Sequence, residues 1–122
     1  MRTRSFLLSL TMILAVTLTT TSCKKSKLTK ELWYIDSATD LEDGSDITAD
    51  YSGEIWEFAK DGNYNENSEN KGTWAFSDDK ERLVITKLDN STDTYTIKSL
   101  SKKEMILEEL GEEELTLKRY DN

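Results

Sequence analysis

From residue 31 onward, apolar side chains recur at every second position in short runs, and no helix-length apolar stripe interrupts them. A period of two is the signature of strands with one buried face. Leu32-Trp33-Tyr34-Ile35 opens the series, and Glu54-Ile55-Trp56-Glu57-Phe58 places Trp56 and Phe58 on one face. A weak, polar return strand follows at Tyr64-Asn65-Glu66, then Gly72-Thr73-Trp74-Ala75-Phe76, again with two aromatics at i and i+2. Further runs lie at Arg82 to Thr86, Thr94 to Lys98, Glu104 to Glu108 and Glu114 to Tyr120. Turn residues separate them, notably Asp61-Gly62, whose glycine supplies the positive φ of a tight hairpin, Ser77 to Lys80, Ser101 to Lys103, and Gly111. Eight strands at roughly ten-residue spacing describe an all-β, antiparallel up-and-down meander. Such a meander removes its exposed edges by closing into a small barrel; a half-open β-sandwich is the second arrangement.

Composition narrows the chemistry. The chain has 122 residues, the size of one domain, with no histidine, no proline and one cysteine. Without an imidazole, neither a Ser-His-Asp nor a Cys-His arrangement can be built. A lone cysteine also excludes an internal disulfide and a zinc site. The net charge of −8 opposes nucleic-acid binding, which needs basic surface to displace counterions. Paired carboxylates such as Glu54 and Glu57 sit at opposite strand parity and cannot face one site. The protein is therefore expected not to be an enzyme and to need no metal or cofactor.

The first residues carry an address. Arg2 and Arg4 precede Phe6 to Leu18, thirteen residues of which ten are apolar, and the small polar stretch Thr19 to Ser22 leads into Cys23. This is the secretory signal pattern, with 1–22 as the leader. Thirteen helical residues rise about 20 Å, short of the roughly 30 Å hydrocarbon core, so a permanent span is not expected. The position of Cys23 resembles a bacterial lipobox, with Thr20 where leucine is usual. The resemblance implies a diacylglycerol on the sulfur, acyl chains of the palmitate class and a new N-terminus at Cys23. Residues 23–30 then form a lipidated basic tether, with Lys24, Lys25, Lys27 and Lys30 placed to meet anionic headgroups. In some outer-surface lipoproteins that this segment resembles, acids directly after the cysteine look like an export signal. This chain lacks them, so the resemblance implies the periplasmic face of the outer membrane in a bacterial envelope. An ordinary cleaved leader followed by a free thiol is the plainer alternative.

Beyond the tether the charge reverses. Residues 31–122 carry 10 basic and 24 acidic side chains, a net of −14 that favours solubility. One stretch breaks the strand rhythm. Asp36 to Ser52 reads as a long loop with Asp36, Asp40, Glu42, Asp43, Asp46 and Asp50 and no basic residue. Its acids lack the alternation of an EF-hand around Gly44, so a solvated, mobile loop is expected rather than a calcium site.

Taken in order, Leu28-x-x-x-Leu32-Trp33, Ile55-Trp56-Glu57-Phe58-x-x-Asp61-Gly62-x-Tyr64 and Gly72-Thr73-Trp74-x-Phe76 resemble the small lipocalin-like lipoproteins of Bacteroides-type bacteria. Leu83-Val84-Ile85, Tyr95-Thr96-Ile97-x-Ser99-Leu100 and Leu115-Thr116-Leu117-x-x-Tyr120 continue the likeness, which spans residues 28–121. The resemblance implies a lipocalin-like β-barrel over residues 31–122.

Eight strands enclose a space just wide enough for packed side chains or one small ligand. Trp33, Trp56, Phe58, Trp74, Phe76 and Tyr95 are candidates to line it. Two readings follow. In one, these rings bound a cavity for a small apolar ligand, in a monomer held to the membrane through Cys23. In the other they fill the interior, and the protein binds an envelope partner through its acidic 36–52 loop.

Overall fold

The structure, a computed structural model, describes residues 24–121. The leader 1–22 and the proposed lipidation residue Cys23 lie outside the described residues. Eight strands follow in order: β1 (Leu32–Asp40), β2 (Ile55–Phe58), β3 (Asn63–Glu66) and β4 (Glu69–Phe76), then β5 (Arg82–Lys87), β6 (Thr92–Leu100), β7 (Glu104–Glu109) and β8 (Glu113–Tyr120). Each pairs antiparallel with the next, and β1 returns to β8, so the sheet closes into a barrel. The alternation dictates this. Inward positions such as Leu83 and Ile85 on β5, or Met105 and Leu107 on β7, are buried, while their neighbours face water.

β1 runs further than the sequence pattern suggests. A bulge between Ile35 and Ser37 inserts one residue, so burial steps from Ile35 to Ala38 instead of Ile35 to Ser37. Residues 36–40 therefore belong to a strand paired with β8, and the expected loop loses its first third. What remains is ordered as well. Ile47 N–H donates to the Ala38 carbonyl at 2.9 Å, Ala38 N–H donates to Thr48 Oγ1 at 3.0 Å, and a 3₁₀ turn (Thr48–Tyr51) brings Tyr51 against the core.

Gly72 is the tightest point of the wall. It sits at φ +149°, and a Cβ there would stand 2.0 Å from the Thr86 carbonyl oxygen on β5. Only glycine lets β4 approach β5 so closely while β3 shifts register opposite it.

The two ends of the barrel differ. At the base, residues 24–29 form a short helix rather than a free tether. Leu28 has no accessible surface, and the Trp33 indole N–H donates to its carbonyl at 3.1 Å. Lys24 Nζ reaches the Lys80 carbonyl at 3.1 Å in the β4–β5 turn. Above this plug, Trp33, Phe58, Leu83, Met105, Leu107, Leu115 and Leu117 are fully buried and fill the lower interior. The opposite end is open.

Candidate functional site

At the open end the barrel holds a cavity of about 590 Å³, within the size range of small-molecule sites. Its walls are Trp56, Tyr64, Tyr95 and Ile85, each the last buried inward residue of its strand before the mouth. Trp56 is the hub. Its ring lies 5.8 Å from Tyr64, 6.2 Å from Tyr95 and 6.4 Å from Tyr51, mostly edge to face.

On six of the strands the next inward position up is charged, and Lys71 on β4 also lines the cavity. On β3, β6, β7 and β8, and just before β2, it is a carboxylate: Glu66, Asp93, Glu109, Glu113 and Glu54. On β5 it is Lys87, which pairs with Asp93 at 3.0 Å. Wall aromatics hold three of these carboxylates. Trp56 Nε1 donates to Glu54 at 3.1 Å, Tyr64 Oη donates to Glu66 at 2.6 Å, and Tyr51 Oη donates to Glu113. Burial, followed by the bonded carboxylates, holds the Tyr51 and Tyr64 phenols far above their ordinary range, so both remain donors. Glu109 is pushed up to about 7, first by a hydrogen bond with the Glu112 carboxyl, then by burial and the charges of Glu112, Asp93 and Glu113.

Elsewhere the acids serve the backbone. Asp40, Asp43 and Asp46 accept amide hydrogen bonds from Glu42, Ser45 and Thr48 at 2.8–2.9 Å, closing Asx turns. Among the described residues no three acidic side chains converge closely enough to hold a metal ion.

Searches with the sequence find no matching family model and no matching curated protein. The three-dimensional comparison does find a match. The crystal structure of a lipocalin-like protein from Bacteroides uniformis ATCC 8492 superposes with a TM-score of 0.62 at 14% identity, covering 77% of this chain and 99% of that one. This is a lipocalin-like barrel. The meander, its closure and its strand count agree with the sequence expectation.

Within the lipocalin-like barrel, the six aromatic candidates separate into three zones. Trp33 and Phe58 are sealed in the core. Trp56 and Tyr95 line the cavity. Trp74 and the half-buried Phe76 border a shallow groove at the base with Lys25, Lys60 and Lys80, where Trp74 Nε1 donates to the Ala59 carbonyl at 2.8 Å. The interior is thus packed below and open above. Tyr64 and the mouth carboxylates were missed. Their signal was available: extending the two-residue period one step past Trp56, Tyr64, Tyr95, Leu107 and Leu115 reaches an acid each time.

Proposed function

We propose that this protein is a lipid-anchored, non-catalytic binding protein of the bacterial envelope, taking one small molecule with an apolar face into the mouth of its barrel. The cavity floored by Trp56, Tyr64 and Tyr95 carries this reading. It is apolar at depth and polar at the rim, the usual anatomy of a ligand pocket. The anchor at Cys23 gains support from the chain's direction. Lys24 follows it in sequence and is bonded to the base of the barrel, so an anchor at Cys23 would attach at the end opposite the mouth. With lipid on Cys23, the mouth opens away from the bilayer, and Lys24, Lys25, Lys27 and Lys30 stand nearest the headgroups. The outer membrane's periplasmic face is the location these features favour, and a closed sheet without free edges suits a monomer.

Titration with an apolar fluorophore, followed by quenching of tryptophan emission, tests the pocket. Saturable quenching that is lost in Trp56→Ala supports it. Emission unchanged up to the solubility of the probe overturns it. Labelling with radioactive palmitate, abolished in Cys23→Ala, tests the anchor, and wild-type protein that takes up no label refutes it.

A further inference from the structure

The pocket's chemistry goes further than its size. We propose that the mouth selects a small organic cation with a flat apolar body, an arylalkylammonium being the simplest example. This inference rests on the mouth being a ligand pocket and adds the charge of its ligand.

Four carboxylates that line the cavity, Glu54, Glu66, Glu109 and Glu113, have no lysine or arginine within ion-pair distance among the described residues. Lys87 is committed to Asp93 at 3.0 Å. Wall donors orient Glu54, Glu66 and Glu113, each through one oxygen, and each carboxylate keeps acceptor capacity to spare. The neighbouring charges of Asp93 and Glu113 are among the causes that raise Glu109, after its hydrogen bond with Glu112, its burial and the Glu112 charge.

Tyr95 supplies an independent indication. The residue is only 5% exposed and lines the cavity, and its hydroxyl makes no hydrogen bond among the described residues. A hydroxyl that opens onto a cavity from a largely buried ring is placed to accept a hydrogen bond from a ligand's N–H. Beside it the Trp56 and Tyr64 rings line the cavity, and aromatic rings attract a cation as well as an apolar body.

A bare metal ion fits poorly. Calcium needs six to eight oxygens at about 2.3–2.6 Å, whereas these acids ring a cavity of about 590 Å³ and no three converge. Two lysines also line the cavity, but Lys71 pairs with Glu69 and Lys87 with Asp93, and six carboxylates outnumber them, so the rim disfavours an anionic ligand.

The test uses the full processed chain at pH 8 and low salt, with 2-phenylethylamine, 2-phenylethanol and phenylacetate as probes of one ring and three charges. Calorimetry and tryptophan emission read binding. The expected result is the ammonium binding about tenfold or more tighter than the alcohol, with no binding of phenylacetate. The preference should shrink with added salt, and in Glu113→Gln and Glu66→Gln the ratio of ammonium to alcohol affinity should fall. Thermal unfolding of each variant is the control for correct folding. Equal affinity for all three probes overturns the charge inference and leaves the pocket standing. No binding of any probe at millimolar concentration overturns both. Displacement of the ammonium by micromolar calcium also overturns the inference, because it would assign the ring to a metal.

Discussion

The Tyr64 hydroxyl donates to Glu66 Oε2 at 2.6 Å, from two residues away on the same inward face of β3. Ring and carboxylate are thereby one unit, the ring forming the pocket floor and the acid its rim. The same relation recurs between Trp56 and Glu54. Neighbouring inward positions on a strand are close enough for a long side chain to reach its successor, so the barrel's alternation builds both pocket and rim.

Tyr64→Phe keeps the ring and removes the donor. A hydrogen bond to a charged acceptor contributes about 1–2 kcal/mol, and urea denaturation should show a loss of that order. Wild-type stability in the variant would mean that Glu66 finds water an equal partner.

Gly72→Ala should be among the most damaging single changes. Its Cβ cannot coexist with the Thr86 carbonyl at 2.0 Å, so β4 and β5 must separate. A loss of about 3 kcal/mol or more is expected from strain and broken pairing. Gly111→Ala meets nothing within 4 Å and differs only in its positive φ; a cost of about 1 kcal/mol is expected. Denaturation midpoints of the two variants provide the comparison.

Leu28→Ala tests whether the segment after Cys23 is part of the barrel. Leu28 has no accessible surface beneath Trp33. Truncating such a leucine costs about 2–5 kcal/mol, and a free tether would lose nothing. Thermal unfolding with Trp33 emission as a second readout decides between them.

The mouth should make stability depend on pH. Glu109 is raised from 4.5 to about 7 in the folded protein, so the native state holds a proton that the unfolded chain has released. Stability therefore falls as pH rises from about 4.5 to 7 and levels off above that. Glu109→Gln should flatten this slope and stabilise the protein at pH 8 by about 1 kcal/mol, after allowance for solvent screening. Asp43, Asp46, Asp79 and Asp89 act oppositely. Side-chain hydrogen bonds from Ser45, Thr48, Ser77 and Ser91 lower them from 3.8, so their contribution is present above that value and lost in stronger acid. Midpoints measured from pH 3 to 9 (a range chosen to bracket both windows) should give a maximum between them.

Much of the fold was legible because one face of each strand is buried, and Leu83, Ile85, Met105 and Leu107 announce that face directly. Legibility failed where the period slipped. The bulge after Ile35 hid half of β1 inside an apparent acidic loop, and Asp36, read there as a loop acid, pairs with Lys118 at 3.3 Å on the barrel wall. The basal helix was invisible because Leu28 is the single apolar residue among Lys24 to Lys30. Its burial comes from the barrel beneath which it docks, a tertiary effect. For the site, residue type identified the aromatic rings, but only three-dimensional placement separated Trp56 and Tyr95 in the mouth from Trp33 and Phe58 in the core.

The three tryptophans allow one decisive measurement. Each indole N–H has its own partner and zone: Leu28 in the plugged core for Trp33, Glu54 at the mouth for Trp56, and Ala59 at the base for Trp74. Their side-chain N–H resonances can be followed by NMR as 2-phenylethylamine is added. A saturable shift of Trp56, with Trp33 and Trp74 unmoved, is expected. Movement of Trp33 or Trp74 with Trp56 still, or no movement at all, would contradict a binding site in the mouth of the barrel.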